Sequence, residues 1–213
     1  MRVTLKLATS LDGRIATATG ESKWITGEAA RAATHALRAD HDAVLIGVET
    51  ALADDPELTV RLPGFAGKQP ARVVLDSQQR LSSCGKLART AGETPTYVIA
   101  ITDSNERLTD AGVKVLTVKA VGERPDLKSA LEALEAQGIG SVLVEGGGQV
   151  AASFIRCDLV DAIEWFRAPI VLGGEGRPAV GSLALTELAK APRFKRVALD
   201  AVGDDLWERY ERI

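Results

Sequence analysis

The four consecutive apolar residues Ala43-Val44-Leu45-Ile46, closed by Gly47, constrain this chain most. So short a run, with no polar alternation and a glycine stop, reads as a strand buried in a core. Polar chain follows it: Thr50, the acidic pair Asp54-Asp55, Pro56 and Arg61. Pro56 biases Asp55 away from helix and holds the segment as an ordered turn. Irregular polar chain leaving a buried strand is where α/β proteins place ligand contacts. A hydroxyl, a carboxylate and a guanidinium on one short segment suit a polar, anionic small molecule. They suit equally a solvated loop whose charges face water.

The chain's 213 residues suffice for one well-packed core, so residues 1–213 are expected to form a single domain. A formal net charge of -3 gives no electrostatic reason to expect nucleic acid. No apolar stretch is long enough to cross a bilayer. The opening MRVTLKLATSLDG breaks its apolar run at Lys6 and reads as a first strand rather than a signal peptide. Cys84 and Cys157 are isolated thiols, and His35 and His41 lie apart from both, so there is no zinc-site spacing. These features predict a cytoplasmic protein with neither metal nor disulfide.

Val3, Leu5 and Leu7 alternate with polar residues as a strand does, which sends Lys6 to the opposite face. In a central strand that ammonium must meet a carboxylate or a cleft; on an edge it would face solvent. Ser10 to Arg14 is a turn around Gly13, and Ile15 to Glu21 has loop composition. Thr26 suits the N-cap of a helix from about Gly27 to Asp40, with Ala29, Ala32, Ala33, Ala36 and Leu37 as its apolar stripe. Arg38 falls in that helix's last turn, where a cation complements the dipole. Trp24, beside Ser22, is placed to cover a cofactor ring or to pack on the core.

Further strands are expected at 71–77, ending in a polar turn, and at 96–101 and 113–118, and Asp126 caps a helix running to about Gln137. Ser141 to Glu145 is another buried strand. It enters Gly146-Gly147-Gly148 and then an apolar helical pattern at Val150, Ala151, Phe154 and Ile155. Strand, glycines and helix in that order present backbone N–H groups to an anion. Gly146, Gly148 and Ala151 satisfy G-x-G-x-x-A, but no acidic residue ends the next strand to hold a ribose, so the arrangement is not a Rossmann fold. Glu145, at the strand end, is placed to hold substrate or to face water. Ala162 to Leu172 reads as a strand whose Pro169 demands an edge or a bulge. Phe194 to Leu199 and Leu206 to Tyr210 alternate about Gly203-Asp204-Asp205, the pattern of an antiparallel pair.

Five segments taken together resemble the reductase domain of bacterial riboflavin biosynthesis, the 5-amino-6-(5-phosphoribosylamino)uracil reductase family. They are LKLATSLDGRIA, ESKWITG, HALRADHDAVLIGVETALADDPELTVR, PARVVLDS and LVEGGGQVAASF, in family order. The resemblance implies a dihydrofolate-reductase-like α/β fold, with a mixed, mostly parallel sheet flanked by helices and antiparallel C-terminal strands. The H-x-E and P-C-x-x-C zinc pattern of the family's deaminase half is absent, which predicts a free-standing reductase.

The same resemblance implies NADPH against Ala8, Trp24, Thr50, Asp54, Ser77 and the turn Gly146, Gly147 and Gly148, with Arg80 also available to a 2′-phosphate. It implies a pyrimidine ribose phosphate against Ser22, Arg38, Leu58, Arg61 and Glu145, which makes Arg38 a phosphate ligand as well as a dipole partner. Asp54, then Glu145, are the expected catalytic carboxylates, and Lys6 the expected proton donor or sugar-orienting group. A homodimer is expected on the same ground. Two other readings stand beside this one: a same-fold reductase acting on the 2,5-diaminopyrimidinone phosphate or another small substrate, and a nucleotide-binding protein without turnover.

Overall fold

The alternation at the N-terminus produces β1 (Arg2–Thr9), in which Val3, Leu5 and Leu7 are buried. In the computed structural model, which describes residues 1–103 and 106–213, β1 is followed by β2 (Arg14–Ala16), α1 (Glu28–Ala39), β3 (Ala43–Gly47) and α2 (Val48–Asp54). Next come β4 (Ala71–Leu75), α3 (Lys86–Arg89), β5 (Thr96–Ala100), α4 (Glu106–Asp110) and β6 (Lys114–Thr117). The short pair β7 (Ala120–Val121) and β8 (Arg124–Pro125) leads to α5 (Leu127–Glu135), β9 (Ser141–Gly146), α6 (Gly148–Arg156) and β10 (Ala162–Arg167). The chain ends with β11 (Arg177–Pro178), β12 (Phe194–Val202) and β13 (Asp205–Arg212). These elements form two compact units, one of Met1–Arg2 and His35–Leu143, the other of Val3–Thr34 and Val144–Ile213.

In the first unit β3, β4, β5 and β6 pair side by side, all parallel. Val44, Ile46, Val74 and Val98 on one face pack with Val48 and Ala51 of α2, Leu87 and Ala88 of α3 and Leu108 of α4. Leu45, Val73 and Ile99 on the other face are equally buried, which is why these strands read as continuous apolar runs rather than alternations. Asp126 caps α5 as expected, its carboxylate accepting the Ser129 N–H at 3.0 Å.

Arg72, on β4, is the largest fully buried side chain, 1% exposed. Its guanidinium donates to the carbonyls of Leu87 (3.2 Å), Thr90 (2.9 Å) and Thr94 (2.8 Å) and to the Thr90 hydroxyl (2.6 Å). Those carbonyls include orphans at the C-terminal end of α3, so the cation serves as a buried cap. Burial depresses its pKa, opposed by the fields of Glu93 and Glu57.

In the second unit β1 runs parallel to β10, β10 antiparallel to β13 and β13 antiparallel to β12. The turn Gly203-Asp204 closes the last hairpin, with Gly203 at φ +65°, where a side chain would be strained. β2 pairs with β11, so part of the segment read as a loop is a short strand.

Three local expectations change. The segment after β3 is helical from Val48 to Asp54; Asp55 then adopts φ 39°, ψ 58° and Pro56 stops the helix there. Helix α1 starts at Glu28, and its buried residues are Ala30, Thr34 and Leu37 instead of the stripe through Ala29 and Ala32, which are exposed. Alanine falls on several sides of the helix and so does not by itself mark the buried one, and the Thr34 hydroxyl is accommodated there by donating to the Ala30 carbonyl at 2.9 Å. The Gly27 carbonyl accepts the Arg31 N–H, and the Gly27 N–H is itself held by the Asp205 carboxylate at 2.7 Å. Lastly, β10 ends at Arg167, before Pro169, because both its edges are paired and an interior strand cannot tolerate a missing N–H.

Arg72→Ala should destabilise the chain by about 3 kcal/mol or more, because the buried carbonyls of Leu87, Thr90 and Thr94 lose their donor. Arg72→Lys should recover only part of this, since an ammonium lacks the planar fork. Urea denaturation of both variants measures the difference.

Candidate active site

The residues singled out by the sequence fall into two sets, one in each unit. In the first unit the C-terminal ends of β3 and β4 lie side by side, with Gly47 in register with Leu75. Both deliver candidate residues to that edge: β3 runs into α2, which carries Thr50 and Asp54, and β4 runs into Asp76 and Ser77. The end of a parallel sheet is the usual ligand edge of α/β folds. Asp54 ends α2 exposed, with no ion-pair partner among the described residues, so its charge remains available to a ligand. Ser77 accepts the Ile101 N–H through its carbonyl at 3.3 Å, and its side chain is half-buried.

Arg38, Leu58 and Arg61 are brought together. The Arg38 guanidinium donates to the Thr59 carbonyl at 2.9 Å, between Leu58 and Arg61 in the chain. His35 Nδ1 lies 3.1 Å from the same carbonyl and 3.2 Å from the Arg61 amide nitrogen, so one tautomer donates to the first and the other accepts from the second. Arg61 itself is exposed and pairs with Glu57 at 3.2 Å. Leu58 has φ +55° with its side chain 4% exposed, buried in the core cluster. Any ligand contact from Leu58 therefore comes from its backbone, held in a conformation unusual for leucine.

Three residues that sequence reasoning missed hold the Ser77 turn. Asp76 is fully buried and accepts the Leu81 N–H at 2.7 Å. Gln79, at φ +54°, donates its amide to the Thr102 hydroxyl at 2.9 Å. Glu49 pairs with Arg80 and ties the turn to the start of α2, so Arg80, noted as available to a 2′-phosphate, already has an acidic partner. A carboxylate placed directly after the run Val73-Val74-Leu75 is the one signal that could have flagged Asp76.

In the second unit Lys6 stands in register with Glu164 of β10, and its Nζ lies 5.8 Å from the centre of the Phe166 ring; Ala8 is in register with Phe166. Lys6 is thus on an interior strand face carrying a carboxylate, the first of the two alternatives its alternation left open. Ser22 is exposed, and Trp24 is 71% exposed with the Arg31 guanidinium 4.6 Å above its ring. The indole is therefore not core packing; it is a flat aromatic surface stiffened by a cation.

Glu145 is half-buried near the end of β9, and the strand passes through Gly146 to Gly147, the N-cap of α6. Gly147 has φ +83°, which a side chain would strain. A Cβ on Gly148 would sit 2.5 Å from the Pro178 carbonyl oxygen, and the Gly148 carbonyl accepts the Gly181 N–H at 2.8 Å. Gly147 is thus required by its backbone conformation and Gly148 by close packing on Pro178, at the N-terminus of α6.

Asp12 closes a further loop junction. Its carboxylate accepts the Ser10 hydroxyl at 2.6 Å and the N–H groups of Leu172 (3.1 Å) and Gly173 (2.8 Å). The Ser10 hydroxyl first, then those amides, lower its pKa from 3.8 to about 2. Cys84 and Cys157 are free, exposed thiols. Among the described residues no cluster of His, Cys, Asp or Glu is suited to a metal, and no helix is long and apolar enough to cross a membrane.

Parallel strands ending in ligand turns, a glycine corner and an antiparallel C-terminal hairpin make the fold dihydrofolate-reductase-like. The family model described as the RibD C-terminal domain matches residues 1–207, and the chain belongs to that family. A riboflavin biosynthesis protein RibD of Bacillus amyloliquefaciens is 38% identical over 209 residues, which are 96% of this chain and 55% of that protein. This chain therefore spans little more than half the length of that relative. A 2,5-diamino-6-ribosylamino-4(3H)-pyrimidinone 5′-phosphate reductase of Methanothermobacter thermautotrophicus is 37% identical over 212 residues, covering 98% of this chain and 96% of that one. The structure of Acinetobacter baumannii RibD, form 2, matches with a TM-score of 0.89 at 33% identity, over 100% of this chain and 58% of that one.

Two outcomes test the loop geometry. Gly148→Ala should lower stability by about 1–3 kcal/mol, because backbone must move to admit the methyl group; a thermal midpoint equal to wild type would refute this packing. Asp12 stabilises through its depressed pKa, so its contribution is complete above the unfolded value of 3.8 and is lost as pH falls through about 2. Hydrogen exchange at the Leu172 and Gly173 amides should accelerate across that window relative to amides elsewhere.

Proposed function

We propose that this chain is an NADPH-dependent pyrimidine reductase of riboflavin biosynthesis. Its substrate in this reading is 5-amino-6-(5-phosphoribosylamino)uracil, whose ribosyl group it reduces to the ribityl form. The observation that carries the reading is the Arg38 guanidinium held on the Thr59 carbonyl, with the exposed Arg61 two residues further along the same segment. One arginine anchored at this segment and a second within it suit a sugar phosphate, which a protein that binds only the cofactor does not need.

The residues present fit a nicotinamide dinucleotide. Within the second unit an exposed indole suits a nicotinamide ring and the glycine corner at the α6 N-terminus suits a pyrophosphate; within the first, the turn held by Asp76 and Gln79 presents Ser77. When bound, NADPH supplies a hydride to C1′ of the opened ribose. Reduction of the C1′=N bond of that open form consumes this hydride and one proton. Asp54, exposed at the end of α2, is assigned to stabilise the positive charge of the protonated imine, with Glu145 as second carboxylate. Lys6 supplies the proton or orients the opened sugar. Ser22, Ala8 and Thr50 complete the contacts in this reading.

One observation favours a second substrate. The relative that this chain matches nearly end to end is named for the 2,5-diamino compound. A single reductase domain, a cytoplasmic location and a homodimer belong to the same proposal.

Purified protein is offered both pyrimidine ribose phosphates with NADPH or NADH, and loss of reduced nicotinamide is followed. Turnover on one pyrimidine with preference for NADPH is the expected result; no oxidation with either sinks the reading. Asp54→Asn should lower kcat about 100-fold while changing NADPH affinity far less. Arg38→Met and Arg61→Met should each raise the substrate KM roughly tenfold or more.

A further inference from the structure

One sheet face of the second unit carries a charge pattern of which the proposed reaction uses only Lys6. Lys6 on β1 is in register with Glu164 on β10, which is in register with Arg209 on β13. Arg209 in turn bonds Asp200 on β12. The four residues alternate in sign across four neighbouring strands, from the outermost strand of this set inward to Lys6.

Aromatic packing fixes the middle of this row. Phe166 and Trp207 face each other across β10 and β13, stacked with ring centres 5.1 Å apart and planes at 23°. The Trp207 indole N–H donates to Glu164 Oε2 at 2.6 Å. The Arg209 guanidinium covers the other ring of the pair, 4.9 Å from Trp207, and the Lys6 ammonium lies 5.8 Å from Phe166. Glu164 is therefore a carboxylate with one oxygen held by a stacked indole, on the strand directly beside Lys6. In-register residues on adjacent strands have neighbouring Cα atoms, about 4.8 Å apart, so the two side chains rise from the same face as a cross-strand pair of opposite charge.

We propose that Glu164, held by Trp207, is the positioning residue for Lys6: it keeps that amine protonated and aimed along the sheet face where Ala8 also lies. The proposal rests on the reading of Lys6 as the proton-donating or sugar-orienting group. On the face that carries Lys6 the neighbouring strands contribute Glu164 of β10, Arg209 and Glu211 of β13, and Lys195 and Asp200 of β12; β9, on the other side of β1, carries Glu145. Arg167 and Glu208 alternate to the opposite face, where they pair with each other at 3.0 Å, and they do not enter the row. With Glu164 neutralised, Lys6 loses its in-register opposite charge, while Arg209 keeps Asp200 as its partner.

The test uses the full chain with Glu164→Gln and Trp207→Phe, and Lys6→Met as reference. NMR titration of the Lys6 side chain, without substrate or cofactor, should show its midpoint moving to lower pH by on the order of one unit in Glu164→Gln, and by less in Trp207→Phe. In turnover, Glu164→Gln should lower kcat roughly tenfold with little change in KM, and the alkaline limb of the kcat–pH profile should move down with the lysine. Trp207→Phe keeps the stack on Phe166 and removes only the donor, so it reports on positioning if Glu164→Gln folds poorly. A Lys6 midpoint unmoved in both variants overturns the proposal, whatever the activity of Lys6→Met. A midpoint that moves while Lys6→Met retains full turnover upholds the coupling and overturns the catalytic reading of Lys6.

Discussion

In-register parallel pairing is the interaction on which the rest of the structure depends. Because β3 and β4 run the same way with Gly47 beside Leu75, their chains leave the sheet at one edge. Thr50 and Asp54 on one side and Ser77 on the other are thereby delivered together, without any direct bond between them. In the second unit the same kind of pairing, β1 with β10, sets Lys6 beside Glu164. Evenly spaced parallel ladders transmit register across strands distant in sequence, so a slip of one residue would turn Lys6 to the opposite face.

Each unit also contains charges whose cost of burial is met by fixed partners. Arg72 is surrounded by carbonyls and one hydroxyl. Glu208, also buried, receives Arg167 at 3.0 Å and the Tyr210 hydroxyl at 3.1 Å; burial first, and then Glu208, raise the tyrosine's pKa. Such groups specify a unique arrangement because any slip leaves them unsatisfied. Exposed candidates behave differently: Arg61 and Asp54 lie where water screens them until a ligand excludes it.

Most of the strands were legible because their apolar runs are short and bounded by glycine, proline or charge, as at Ala43–Gly47 and Ser141–Gly146. The strand–glycine–helix corner was equally legible, and so was the C-terminal hairpin. Helix α1 misled because its alanines mark no face, and Thr34 is buried through a bond to its own helix that composition does not announce. Within the candidate site, Arg38 and Arg61 were nameable, but the anchoring of Arg38 on the Thr59 carbonyl beside His35 was not, since it depends on the path of the chain through a left-handed Leu58. The roles of Glu164 and Trp207 are similarly invisible in sequence: β10 and β13 meet only through the register of their pairing.

The two exposed thiols have a practical consequence. Cys84 belongs to the first compact unit and Cys157, just past the end of α6, to the second. They are the chain's only cysteines. The native sequence therefore already carries one attachment point per unit for spin labels or fluorophores. Each label would report on the surroundings of its own unit, with and without nicotinamide, without a single engineered residue.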